Sequence, residues 1–293
     1  MTASSEGASR IRLARSALFV PATRPDRITK AQGSEADLVI VDFEDAVAQE
    51  DKTLARERLE RYLEDTPEAT LCVRINAPGS EYFDADLNLC ARLPAISAIM
   101  VPKAESAMAL RQVAALDRPL WPLIESAAGL DWINELAAVE GVERLSFGAL
   151  DLALDLDLES DTPGAEAMLD QARYQLVLQS RLAGLAPPMA GVSPVLDDDD
   201  LLQATALRAR QMGFGGMLCI HPRQLAPVHR AFTPGASQLE WAQRVLAGAR
   251  TQGGAFRVDG QMVDAPVIER ARRLLARAGH AEAIHPQASG FDG

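Results

Sequence analysis

The sequence predicts a single (β/α)8 TIM barrel followed by a C-terminal helical extension. Three observations predict it. Eight short apolar runs recur between Ser16 and Ile220, separated by amphipathic stretches. The runs lack strict alternation, as strands of a parallel sheet do when both faces are buried. Six of them end on charged or polar residues, which is how strands end at the C-terminal mouth of a barrel. A chain of 293 residues permits one large barrel of about 250 residues or two ordinary domains.

The strands are expected at Ser16–Val20, Leu38–Asp42, Leu71–Ile75, Ala98–Val101, Leu120–Ile124, Leu145–Phe147, Met189–Val192 and Gly216–Ile220. Helical patterns fill the gaps: Thr53–Leu63, Ala104–Ala115, Ala167–Leu182, and Leu201–Met212, which stops at Gly213. The acidic run Asp197–Asp200 reads as the cap and dipole complement of that last helix. Beyond the eighth strand comes a helix at Gln238–Thr251, a break at Gln252-Gly253-Gly254, and a hairpin over Phe256–Val263 turning at Asp259-Gly260. A basic amphipathic helix over Pro266–Ala278 stops at Gly279. The domain reading is a catalytic barrel over residues 14–235, a helical lid segment over 236–280, and flexible tails at 1–13 and 281–293.

Composition excludes several classes. The net charge of -12 disfavours nucleic acid or an anionic membrane as the main partner. A small anionic ligand needs only a local basic patch and stays admissible. No apolar run approaches the roughly 18 residues of a membrane span. Cys72, Cys90 and Cys219 show neither CxxC nor metal-ligand spacing, which suits a reducing, cytoplasmic compartment. The N-terminal Ser and Arg residues read as a tail rather than a targeting segment. No G-x-G-x-x-G or P-loop follows any strand, so nucleotide-binding alternatives lack support.

The strand ends carry the candidate chemistry. Strand two ends in Asp42-Phe43-Glu44-Asp45, strand three is Val73-Arg74-Ile75-Asn76, and strand four runs into Pro102-Lys103. Strand five ends at Glu125, strand six reaches Asp151 through Gly148-Ala149-Leu150, and strand eight ends in Ile220-His221-Pro222. Glu125 and Asp151 on neighbouring strands meet at one rim. Two carboxylates with room for water and substrate oxygens suit Mg²⁺. Alone, each acid reads as a helix cap or a solvated charge; the run of polar strand ends argues for the metal. Arg74, between apolar neighbours, needs an anionic partner. It is either a structural ion pair with Asp42 or Glu44, or a fork gripping a substrate carboxylate or enolate oxygen. Lys103 is either a phosphate contact or a solvated loop charge, and His221 either a packed loop histidine or a catalytic one.

These residues also resemble a known family. Arg15-Ser16-Ala17-Leu18-Phe19-Val20-Pro21 looks like the opening of the citrate lyase beta subunit family, part of the HpcH/HpaI aldolase group. Similar matches follow in order: Val39–Val47, Val73–Asn76, Val101–Ser106, Ile124–Ser126, Phe147–Asp151, Gly213–Gly216 with Ile220–Gln224, and Gly260–Pro266. The resemblance spans about residues 14–279. It implies Mg²⁺ held by Glu125 and Asp151, Arg74 at the reacting oxygen with Asp42 and Glu44 beside it, and assembly as a homotrimer or hexamer. It implies that Asp264 sits on a lid over a neighbouring subunit's site, as acid/base on the thioester carbon. It points to a carbon–carbon lyase that cleaves malyl-, citramalyl- or citryl-CoA, or an acyl-carrier thioester, to an acyl thioester and a 2-oxo acid. The amides of Gly148–Asp151, Leu150 included, would take the oxo acid carboxylate. Arg15, Arg24, Arg27 and Lys30 are candidates for the CoA phosphates, with Lys103 as a further substrate contact. The alternative is an aldolase acting on free hydroxy-oxo acids, which lacks the Asp264 extension. The sequence departs from the family pattern at Phe43 and Ser126, in the glycine-free stretch Leu152–Asp157, and at Ser193–Leu196.

Overall fold

The computed structural model describes residues 12–251 and 255–284. Of the expected tails, residues 1–11 and 285–293 lie outside these, as does the break at 252–254. The eight strands are β1 Ser16–Pro21, β2 Leu38–Asp42, β3 Leu71–Arg74, β4 Ile96–Val101, β5 Leu120–Ile124, β6 Arg144–Phe147, β7 Ala186–Ala190 and β8 Gly216–Cys219. All pair in parallel and in chain order, and β8 pairs back onto β1 to close a barrel. The helices are α1 Pro25–Gln32, α2 Lys52–Asp65, α3 Phe83–Arg92, α4 Ala107–Ala114, α5 Ala127–Asp131, α6 Ile133–Ala137, α7 Ala149–Asp155, α8 Pro163–Leu182, α9 Asp199–Met212, α10 Leu225–Phe232, α11 Ala236–Thr251 and α12 Ala265–Ile284.

The strands are short and buried on both faces because each presents alternate residues to the barrel interior and to the helices. Ala17, Leu38, Ile40, Cys72, Ala98, Met100, Trp121, Leu123, Met189 and Leu218 fill the interior, with Phe19 and Val192 packed against them. Going up each strand by two, the same inward face reaches Asp42 after Ile40, Arg74 after Cys72, and Glu125 after Leu123. The period of two thus carries the chain from apolar packing to polar groups at the C-terminal rim.

At the other end, Arg144 is fully buried at the start of β6. Its Nε donates to the Pro187 carbonyl at 2.6 Å and one Nη to the Ala14 carbonyl at 2.7 Å. Its guanidinium also lies over the Trp121 ring at 5.3 Å. Burial without a carboxylate hydrogen-bond partner pushes it down to about 9, against the pull of Glu143 and Asp37.

Several elements differ from expectation, among them α8, which starts at Pro163 rather than Ala167, and α1, α3, α5, α6, α7 and α10, which the expected helical patterns do not include. Strand β7 starts three residues earlier and ends two residues earlier than expected, and includes Pro187-Pro188, a pair that argues against a strand on sequence grounds. Helix α4 starts at Ala107, because Ser106 is its N-cap and accepts from the Ala109 amide. Helix α12 runs through Gly279 to Ile284, so residues 281–284 are helix rather than tail. A single glycine costs a helix about 1 kcal/mol, too little to end it.

Two compact units divide the chain, Met1–His229 and Arg230–Gly293. The first holds the barrel. The second contains α11, a two-stranded hairpin of β9 (Phe256–Val258) and β10 (Gln261–Val263), and α12. Asp259 and Gly260 both have positive φ, the pair that a two-residue hairpin turn requires. Ala242, Val245, Phe256, Val263 and Ala271 form the core of this unit. Among the described residues, no helix is long and apolar enough to cross a membrane.

Candidate active site

A cavity of about 840 Å³ opens at the C-terminal mouth of the barrel. Phe19, Asp42, Arg74, Glu125, Gly148–Asp151 and His221 line it. So do Arg24, which immediately precedes α1, and Arg27 and Lys30 within it.

Arg74 sits where the β2–β3 register places it, directly opposite Asp42. Its Nε and one Nη donate to the two Asp42 oxygens, both at 2.7 Å, a two-pronged fork. The other Nη reaches Asp45 at 3.2 Å and lies 2.9 Å from Glu44 Oε2. That Glu44 oxygen is buried and has no partner of hydrogen-bond geometry, so the guanidinium serves it as a charge only. Asp42 also accepts from the Glu44 and Ala46 amides, which folds the Asp42–Ala46 loop around its own strand end. The guanidinium lies over the Phe19 ring at 4.9 Å. Of the two sequence readings of Arg74, the ion pair is realised, and the same residue faces the cavity.

Glu44 is buried, which pushes its carboxyl above the usual range against the pull of Arg74 and Lys103. Lys103 Nζ donates to Glu44 Oε1 at 2.9 Å, while the Lys103 amide donates to Glu125 Oε1 at 2.7 Å. Lys103 holds a positive φ of 44° to do both. For a non-glycine residue that is a strained position of the kind found at functional sites.

Glu125 is buried at the end of β5. Burial pushes its carboxyl up to about 8; the Lys103 amide opposes this, Glu44 and Asp151 add to it, and Arg74 opposes it. The side chain packs against the backbone of Gly148. A Cβ there would lie 2.4 Å from Glu125 Cβ and 2.7 Å from Oε2, so only glycine leaves room. Asp151 stands in the first turn of α7, immediately beyond. Among the described residues no group of three His, Cys, Asp or Glu side chains is poised on a metal. The donor set is therefore two carboxylates with open cavity beside them. It fits a hard cation that keeps several waters, and not the closed nitrogen and sulfur shell of structural zinc.

The remaining predicted residues divide. Arg24, Arg27 and Lys30 reach the cavity, Arg24 forked onto Asp26 at 2.9 Å. Arg15 does not. It precedes β1 at the opposite end of the barrel, with its Nε 2.9 Å from Asp37. Its position before the strand, rather than after it, excludes the mouth. Lys103 Nζ is committed to Glu44, and His221 Nδ1 accepts from the Arg223 amide as a cap. Asp264 stands in the second unit and caps α12 through the Val267 amide at 3.3 Å.

Sequence reasoning missed Lys52, which is buried and donates to the carbonyls of Phe43 and Glu44 at 2.6 and 2.7 Å. It pins the loop that carries Glu44. Its helical neighbours gave no sign of burial. It also missed Gln224, whose amide ties the Ile220–His221 turn to the carbonyls of Ser193 and Val195.

Comparison with known proteins bears on this geometry. Residues 15–222 match the family described as HpcH/HpaI aldolase/citrate lyase. A citrate lyase subunit beta-like protein of Mycobacterium tuberculosis H37Rv is 39% identical over 267 residues, covering 90% of this chain and 95% of that one. A (3S)-malyl-CoA thioesterase of Cereibacter sphaeroides (strain ATCC 17023) is 37% identical over 272 residues, covering 90% and 94%. The crystal structure of CitE from Mycobacterium tuberculosis with magnesium, acetoacetate and coenzyme A superimposes with a TM-score of 0.79 at 36% identity, covering 92% of this chain and 99% of that one. The closed barrel, its charged mouth and these matches together make the chain a member of the HpcH/HpaI aldolase/citrate lyase family.

Proposed function

We propose that this chain is a Mg²⁺-dependent carbon–carbon lyase acting on a 3-hydroxyacyl thioester, giving an acyl thioester and a 2-oxo acid. The observation that carries the reading is one cavity lined by Glu125, Asp151 and the forked Arg74, with Arg24, Arg27 and Lys30 also on its wall. The relative solved with magnesium and coenzyme A supports both the metal and the carrier.

Glu125 and Asp151 would hold the metal, and Mg²⁺ when bound supplies Lewis-acid polarisation of the oxo acid oxygens. The residues of the chain supply the rest. The first amides of α7, which have no partner within their own helix, face the oxo acid carboxylate. Arg74, fixed by Asp42 and Glu44, stabilises charge on the thioester oxygen as the carbon–carbon bond breaks. The substrate's 3-hydroxyl gives its proton to solvent as it becomes the carbonyl of the 2-oxo acid, the thioester half leaves as an enolate, and Asp264 of a neighbouring subunit donates a proton to the enolate carbon. Arg24, Arg27 and Lys30 meet the carrier phosphates. The assembly is a trimer or hexamer in which one subunit's second unit serves another's barrel.

The test is a Mg²⁺-dependent assay of malyl-, citramalyl- and citryl-CoA with Glu125→Ala and Asp264→Ala as controls. Release of an acyl-CoA with a 2-oxo acid, lost in both variants, supports the lyase. Release of free CoA with an intact hydroxy acid supports a second reading, thioester hydrolysis, which the Cereibacter relative favours. Cleavage of free hydroxy-oxo acids alone would refute both thioester readings.

A further inference from the structure

The loop that follows Glu125 is clamped from two sides. Toward β4, Ser126 Oγ donates to Glu105 Oε1 at 2.7 Å. Toward β6, the Ala127 amide donates to Asp155 Oδ2 at 2.7 Å. Asp155 is the last residue of α7, and Asp151 stands one turn before it on the same short helix. Leu152, fully buried and between the two acids in sequence, packs on the inner face of α7. The helix also packs on α8, and its first residue, Ala149, lies against Gly191, so its inner face and its start are held while Asp155 at its far end is exposed. Among the described residues, the side-chain hydrogen bond from that far end runs to the Glu125 loop.

We propose that Asp155 is a positioning residue that sets the separation of Glu125 and Asp151. This rests on the reading of those two carboxylates as the Mg²⁺ ligands. The physical reason is direct. Ala127 lies two residues beyond Glu125, and Asp155 four residues beyond Asp151. A single hydrogen bond thus joins the segments that carry the two acids. Without it, the Asp155 end of α7 swings about Leu152, and Asp151 moves relative to Glu125. A metal that demands near-ideal geometry tolerates such movement poorly. Asp155 itself touches neither substrate nor metal.

The experiment is Mg²⁺ titration of the full-length protein by calorimetry, with no substrate present. Wild type, Asp155→Ala, Asp155→Asn and Glu125→Gln are compared, and the melting temperature of each metal-free protein is recorded. Removal of an outer-shell partner typically weakens metal binding 10–100-fold. Asp155→Ala is expected to raise the dissociation constant about tenfold with little change in metal-free melting temperature, because the side chain is exposed. Asp155→Asn keeps an acceptor oxygen and stays near wild type. A wild-type constant in Asp155→Ala overturns the proposal while the metal reading stands. Equal weakening in Asp155→Asn also overturns it, since charge rather than the hydrogen bond would then be at work. Absence of Mg²⁺ binding in wild type overturns the metal reading and this proposal together.

Discussion

At the scale of single residues, the site is governed by how charge is buried. Arg74 faces Asp42, Glu44 and Asp45 at once, and two of these carboxylates are buried. Removing one partner of a buried pair costs about 3–5 kcal/mol, because the remaining charge is left without compensation. Arg74→Ala therefore loses stability as well as activity and separates the two poorly. Arg74→Lys keeps the charge and gives up the fork. It is expected to lower kcat/KM about a hundredfold while retaining most of the thermal stability, as differential scanning calorimetry and steady-state kinetics will show. Unchanged kinetics would make Arg74 purely structural. Glu125 supplies a second prediction. Burial pushes its carboxyl up to about 8 from an ordinary value of 4.5. A group raised in this way binds its proton more tightly when folded. Its contribution to the stability of the metal-free protein is fully present below about pH 4.5 and is lost as pH rises toward 8. A cation must displace that proton, so Mg²⁺ affinity is expected to climb with pH up to about 8, with proton release on binding. Calorimetry in buffers of different ionisation enthalpy measures the release. Glu125→Gln abolishes it, and a pH-independent affinity in wild type would contradict the account.

At the scale of elements, β5 and β6 end in a fit that depends on one missing side chain. Gly148 lies against Glu125 so closely that Gly148→Ala must displace the carboxylate. Overpacking of this kind costs about 1–3 kcal/mol. The barrel is expected to survive, with a lower melting temperature and weakened Mg²⁺ binding; unaltered binding would mean that Glu125 is free to move. This level also shows what the sequence can reveal. Strands β2 and β5 were legible to the residue because they are plain apolar runs ending in a charge. Strand β7 was displaced because Pro187 and Pro188 hide it, yet the barrel pairs it through Ala186 and Met189. The rim residues were legible because charged or polar groups close six of the eight strands. Their partners were not. Lys52 looks like any lysine on a helix, and nothing local announces that its ammonium reaches two carbonyls of the β2 loop. Arg15 failed for the same reason in reverse. Proximity to β1 in the chain suggested the mouth, whereas a residue before a parallel strand lies at the opposite end.

At the scale of the whole molecule, the barrel and the second unit each carry part of the proposed chemistry. Glu125, Asp151 and Arg74 belong to the first unit, and Asp264 to the second. Asp264 is exposed at the N-terminus of α12, where a side chain is available to another molecule. If Asp264 serves a neighbouring subunit, every complete site draws on two chains. That arrangement has a consequence a self-contained monomer lacks. Glu125→Ala chains and Asp264→Ala chains are each inactive alone. Mixed within one oligomer, they place an intact Glu125 beside an intact Asp264 in some sites. Random assembly of equal amounts pairs the two intact residues in about a quarter of sites, so about a quarter of wild-type activity is expected to return. The exchange is made by dilution or mild denaturant and subunit mixing is verified by mass spectrometry, so a failure to mix is distinguished from a failure to complement. Verified mixed oligomers without activity would place Asp264 in the site of its own chain. Recovered activity that falls on dilution, as the oligomer dissociates, would show that the shared site and the quaternary structure are one requirement.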